Sequence, residues 1–325
     1  MLYLGIGETF AGHSVSTPVV VLRGVRTGPT LCLTAGIHGD EINGVEIVRR
    51  ALDEMDPKDL AGTIIGVPMA NMHGFRRSSR YLPDRRDLNR HFPGNPNGSS
   101  ASRIAHQLFE RVIRKCGLLV DFHTGSFHRR NLPQVRADLS RPEVYSFAIG
   151  FGSKTVVHNL GTPGVLRRAA VDAGVPALTY EAGEPMELRE QEVRRGVEGV
   201  RNLLANQGMS KEKPRAIRGQ QIFYNWHWVR ANDGGIFLAT AKLGDHVQAG
   251  QVLGHVTDPI SNESTEVVTP YAGTVLGMAV NQVVMPGFAA FYVGVDTNQP
   301  ATFPIQGAEP DDALDEPFEI DARPE

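Results

Sequence analysis

Three side chains define the chemistry this sequence can support. His38 and Glu41 stand three residues apart in Ala35-Gly36-Ile37-His38-Gly39-Asp40-Glu41, where an apolar strand pattern gives way to a helical one. At a helix entrance that spacing turns both toward one side. His123 sits in Asp121-Phe122-His123-Thr124-Gly125, just past the apolar run Leu118-Leu119-Val120. Two imidazoles and a carboxylate are three ligands for a divalent ion. Zinc held by three protein ligands keeps a fourth position for water, the arrangement of a hydrolytic site. Spacing alone leaves a plainer explanation open: a glutamate at a helix start and two histidines making ordinary hydrogen bonds. Position favours the metal, because each histidine follows a strand and ligand sites in open α/β sheets lie beyond the carboxyl ends of strands.

Other groups fit around such an ion. Glu181 follows the apolar run Ala177-Leu178-Thr179-Tyr180 and lands on the same sheet edge, where a carboxylate can take a proton from water and return it to a leaving amine. A helix-initiating acid is the ordinary alternative, which suits Glu184 and Glu187 better. Strand alternation turns Tyr180 to the opposite side. Arg76, Arg77, Arg80, Arg85, Arg86 and Arg90 crowd one stretch, and a solvated basic loop is the usual reading of such a run. Within it, Asn89-Arg90 pairs an amide with a guanidinium, a clamp for one carboxylate. Arg80 is placed to meet a scissile carbonyl as charge develops on its oxygen. Arg167 and Arg168 offer contact with a second acidic group, although an exposed helix start explains them equally well. His73, His91, His106, His128 and His158 have no partner at ligand spacing.

The elements that must position these groups alternate over the first two thirds of the chain. Strands are expected near 31–34, 63–67, 118–122, 155–157 and 177–180. A helix over 41–55 carries Ile42, Val45, Val48, Leu52 and Met55 on one stripe. Further helices are expected over 101–115, with Ser99 or Ser100 as N-cap, and over 187–204. This alternation predicts an α/β fold with a mostly parallel sheet and helices on both faces. After Met209 the character changes. Lys211-Glu212-Lys213-Pro214-Arg215 reads as a linker, followed by short strands with glycine turns. The expected division is a catalytic domain over 1–215 and an all-β domain over 216–325 that ends in an acidic tail. Residues 244–252 and 280–288 form a faint repeat, which suggests a small sandwich.

Composition narrows the partners. Among 325 residues, 33 Lys and Arg face 36 Asp and Glu, a net charge of −3, which is no footprint for nucleic acid. No apolar stretch approaches the roughly 18 residues of a membrane span, and the first residues lack a basic segment followed by an apolar one. The two cysteines, Cys32 and Cys116, read as separate buried thiols rather than a bridge, in keeping with a cytoplasmic protein. The expected partner is a small molecule, with self-association through the β part left open.

Five motifs carry a family resemblance: Gly36-Ile37-His38-Gly39-Asp40-Glu41, Arg80-Tyr81, Asp87-Leu88-Asn89-Arg90-His91-Phe92-Pro93-Gly94, Asp121-Phe122-His123 and Tyr180-Glu181-Ala182-Gly183. In this order and at these separations the chain resembles the succinylglutamate desuccinylase/aspartoacylase family, itself related to zinc carboxypeptidases. The resemblance implies a carboxypeptidase-like mixed α/β sheet followed by a small barrel-sandwich-like β domain that narrows the pocket. It implies one Zn2+ per chain on His38, Glu41 and His123, a carboxylate clamp of Asn89 and Arg90, an active-site arginine at Arg80 and a catalytic glutamate at Glu181. The expected activity is hydrolysis of an N-acyl amino acid or similar carboxylated amide. A metallocarboxypeptidase for short peptides is the nearest alternative, and a binding module with a structural metal the more distant one. The β part also resembles biotinyl and lipoyl carriers, but residues 261–268 contain no acceptor lysine.

Overall fold

The structure is a computed structural model and describes residues 1–8, 14–126 and 128–295; the acidic tail lies outside the described residues. The chain opens with β1 (Leu2–Glu8), β2 (Ser14–Arg23), β3 (Arg26–Ala35), α1 (Ile42–Asp53) and β4 (Ala61–Val67). A short α2 (Met72–Phe75) precedes an extended passage that leads to α3 (Ser100–Arg111), where Ser99 caps by accepting from the Ser102 amide. Then follow β5 (Leu118–His123), β6 (Arg129–Ala137), α4 (Pro142–Phe151), β7 (Thr155–His158), α5 (Leu166–Asp172), β8 (Ala177–Gly183) and α6 (Glu190–Asn206).

Strands β4, β3, β5 and β8 lie side by side in parallel. Their near-continuous apolar runs follow from burial on both faces: Leu31, Leu33, Leu119 and Leu178 have no exposed surface. Around this centre the sheet departs from the mostly parallel expectation. β2 joins β4 antiparallel, and β6 joins β8 antiparallel, so the whole is mixed. No helical crossover separates β1 from β2 or β5 from β6, and strands joined without one can turn back antiparallel. Helices α1, α4 and α6 pack together over one face. Helix α5 bonds Thr179 through Arg167, whereas Glu192 and Arg195 of α6 act on Tyr180. Neighbouring strand residues point to opposite faces, so α5 and α6 cover opposite sides of β8.

Cys32 of β3 and Cys116, just before β5, are joined in a disulfide, which corrects the expectation of separate thiols. They lie 84 residues apart in sequence. Only the parallel pairing of β3 with β5, which sets Cys32 opposite Leu119, brings them together.

The remaining strands are β9 (Gln221–Phe223), β10 (Asn225–Arg230), β11 (Gly235–Ala239), β12 (His246–Val247), β13 (Val252–Thr257), β14 (Ser264–Val268), β15 (Gly273–Ala279), β16 (Gln282–Val284) and β17 (Ala289–Val295). They split between two sheets. β15 pairs antiparallel with β6 and extends the large sheet to β17 and β10, while β14, β13, β11 and β16 form a second, antiparallel sheet. Phe237 and Val256 of the second sheet pack with Val275 and Phe291 of the first. Both repeat segments end in a glycine turn, at Gly250 and Gly287 with φ 85. Their strands, however, enter different sheets: β12 pairs with β15 and β16 with β11. Among the described residues no helix is long and apolar enough to cross a membrane.

Candidate metal centre and its pocket

Three parallel strands deliver the site. His123 is the last residue of β5 and stands in register with Glu181 of β8. His38 lies beyond the end of β3, where Gly36 turns the chain with φ 60. Glu41 occupies the N-cap of α1, yet its side chain makes no capping hydrogen bond. It points instead to the histidines and accepts from the Thr124 amide at 3.1 Å.

The three residues are buried and their donor atoms converge. His38 Nδ1 lies 2.8 Å from Glu41 Oε1, His123 Nδ1 lies 2.9 Å from Glu41 Oε2, and the two Nδ1 atoms are 3.2 Å apart. On the far side of each ring, His38 Nε2 faces Asp87 Oδ1 at 3.0 Å and His123 Nε2 faces Asp121 Oδ2 at 2.8 Å. With an ion at the common centre, each Nε2 would donate to its carboxylate and leave the Nδ1 lone pair for the metal. Donors on one tetrahedral zinc at about 2.0–2.1 Å stand roughly 3.3 Å apart. Carboxylates behind histidine ligands are the usual means of orienting them. The residues present therefore fit a metal ion. Burial alone would raise the Glu41 carboxyl, but the two histidines outweigh it and hold the group far below the usual carboxylate range.

These supporting acids are themselves anchored. Asp121 Oδ1 accepts from Thr34 Oγ1 at 2.6 Å, and Asp87 Oδ1 accepts from the Asn89 amide at 2.8 Å. Asp121 had a readable signal, since it lies two residues before His123 and so on the same strand face. Asp87 opens one of the five motifs, but nothing there pointed it at His38, 49 residues away.

A cavity of about 310 Å³ opens over the centre. Glu181 lines it, buried, with Oε2 accepting from Asn131 Nδ2 at 3.0 Å and Oε1 3.6 Å from Arg136 Nη1. Burial pushes its carboxyl upward, while Arg136 and His123 pull the other way without cancelling the rise. Arg80 is buried, with Nη1 3.2 Å from Glu41 Oε1 and Nη2 3.0 Å from Asp87 Oδ2. Asn89 and half-buried Arg90 line the opening, and Asn89 Oδ1 accepts from the Leu166 amide at 2.8 Å. Arg167 is buried in the pocket wall rather than exposed at a helix start. It donates to the Asn159 carbonyl, to Asn159 Oδ1 and to Thr179 Oγ1. Arg168 stays outside on Asp172, and Arg76, Arg77, Arg85 and Arg86 are exposed.

The structure thus brings all eight sequence-predicted side chains to one cavity. It adds His158, Arg136 and Asn131 from the inner strands, and Trp226 and Trp228 from β10. His158 is a buried histidine whose Nδ1 accepts from the Leu139 amide at 3.1 Å, and burial lowers its pKa.

Residues 27–206 match the succinylglutamate desuccinylase/aspartoacylase catalytic domain. The chain is 27% identical over 260 residues to the N-alpha-acetyl-L-2,4-diaminobutyric acid deacetylase of Halomonas elongata, covering 76% of each protein. It is similar in structure to a succinylglutamate desuccinylase/aspartoacylase of Rhodobacter sphaeroides, with 25% identity, a TM-score of 0.82, and 91% and 94% of the two chains covered. The product-bound ectoine utilization protein EutE of Ruegeria pomeroyi gives the same figures.

Proposed function

Because this chain belongs to the succinylglutamate desuccinylase/aspartoacylase family, we propose that it is a zinc-dependent amidohydrolase that removes the acyl group from an N-acyl amino acid or a similar small carboxylated amide. The observation that carries this reading is the convergence of His38 Nδ1, Glu41 and His123 Nδ1 beside a buried carboxylate, Glu181, on the next strand. The deacetylase of Halomonas elongata supports the substrate class.

Zinc held by His38, Glu41 and His123 would supply Lewis acidity and a water of lowered pKa. The rest falls to side chains. Glu181, steadied by Asn131 at one oxygen, takes the proton of the attacking water and returns it to the departing amine nitrogen. Arg80 supplies positive charge where the carbonyl oxygen becomes an oxyanion. Arg90 and the amide hydrogens of Asn89, whose Oδ1 is already engaged, hold the substrate carboxylate. Arg167, fixed by Asn159 and Thr179, meets a further polar group. Residues from 216 onward close the pocket through Trp226 and Trp228.

The test is turnover of N-acetyl and N-succinyl amino acids beside dipeptides. Hydrolysis of the acyl amino acids is expected, and Glu181→Gln should keep its zinc while kcat falls by about 10²–10⁴. Near-normal turnover in that variant would remove Glu181 as the base. Cleavage of the dipeptides alone would replace this reading with a carboxypeptidase.

A further inference from the structure

A second and larger cavity, of about 620 Å³, lies on the opposite face of β8. It is within the range of small-molecule sites. Its floor is aromatic: Tyr180 and Phe151 are each 1% exposed, with ring centroids 4.8 Å apart. Tyr180 Oη has no hydrogen-bond partner among the described residues and reaches the cavity. Burial, then Glu192 and Glu198 against the pull of Arg195, raises its pKa, so the phenol remains a donor at neutral pH. The walls carry five cationic side chains and two carboxylates, Glu198 and Glu212. Arg195 and Arg201 are occupied by Glu192 and Glu54. The side chains of Lys154, Lys213 and Arg215 have no ionic partner among the described residues, and neither do Glu198 and Glu212, which leaves one more unpaired cation than carboxylate on the walls.

We propose that this cavity is a binding site for a small organic carboxylate with an apolar body, seated on Phe151 and Tyr180, accepting a hydrogen bond from Tyr180 Oη and facing the basic rim. An apolar body fills the space above the two rings, and its carboxylate meets both the unpartnered hydroxyl and the cations of the rim. A neutral ligand would satisfy the floor and forfeit the rim. A bare inorganic anion would do the reverse. The site is separate from the metal pocket, because Tyr180 and Glu181 are consecutive on β8 and face opposite sides.

Titration calorimetry of the full chain with 1-naphthylacetate and with its neutral amide tests this. The carboxylate should bind saturably and at least about tenfold tighter than the amide. Tyr180→Phe, which removes a hydroxyl bonded to nothing described, should weaken binding by about three- to tenfold, the scale of one hydrogen bond. Lys154→Glu combined with Arg215→Glu, both at exposed positions, should weaken it more than tenfold. Absence of saturable binding, equal affinity for the amide, or binding unchanged in both variants would overturn the proposal.

Discussion

Arg136 is the residue whose role separates most clearly from its neighbours. Its guanidinium lies 3.6 Å from Glu181 Oε1 and over the Tyr292 ring at 5.2 Å. Burial raises the Glu181 carboxyl, and Arg136 is the largest influence pulling it down. If Glu181 is the base, it acts only as the carboxylate, so activity is lost as pH falls through its pKa. Removing the cation raises that pKa further. Arg136→Gln should therefore shift the acidic limb of the kcat/KM profile to higher pH, while the alkaline limb stays where it was. An acidic limb that did not move would mean Arg136 does not govern the base. Nothing in the sequence marked Arg136. It lies in Arg-Arg-Asn-Leu-Pro-Gln-Val-Arg, a polar run with an internal proline that does not read as a strand. It reaches Glu181 only because β6 pairs antiparallel with β8. The convergence of His38, Glu41 and His123 was legible for the opposite reason. Each sits at the end of an apolar run, and their chemistry depends on strand ends rather than on register.

At the scale of elements, the turn between β3 and α1 holds two of the three donors, and it is packed without slack. A Cβ on Gly39 would fall inside the backbone of Gly74 and Phe75, and the Gly39 amide donates to Ser79 O at 3.1 Å. Gly39→Ala should therefore displace the turn, costing about 1–3 kcal/mol, and metal per chain should drop along with the thermal midpoint. Retention of both by that variant would show that the turn is not the device that sets His38 and Glu41. Helices α1, α3 and α6 were readable, because an apolar stripe needs no partner to be recognised, whereas α4 and α5 were not among the helices expected. Arg167 was harder. A helix start with two arginines looks solvent-facing in sequence, but Asn159 and Thr179 draw the first of them inward.

Over the whole molecule, the β part of the chain does more than follow the α/β part. β15 runs beside β6, Trp226 Nε1 donates to the His158 carbonyl at 3.1 Å, and Trp226 and Trp228 both flank Tyr292 with centroids 5.0 Å away. These contacts close one wall of the cavity over His38, Glu41 and His123 with side chains about a hundred residues from His123. The change in character after Met209 was visible in glycine spacing and charge. That two tryptophans would meet the pocket was not, since it depends on which edge of the large sheet the later strands extend. If the wall binds substrate and takes no part in proton transfer, Trp228→Ala should raise KM by about fivefold, the worth of one aromatic contact, with little change in kcat. A loss confined to kcat would assign Trp228 to the chemistry instead.

All of these expectations rest on one ion at the meeting point of His38, Glu41 and His123. Anomalous diffraction from crystals of the purified protein, recorded on both sides of the zinc absorption edge, tests this most directly. The account predicts a single strong zinc peak per chain, bonded to the Nδ1 atoms of both histidines and to the Glu41 carboxylate. Crystals grown with zinc that show no peak there, or show it on other ligands, would contradict it.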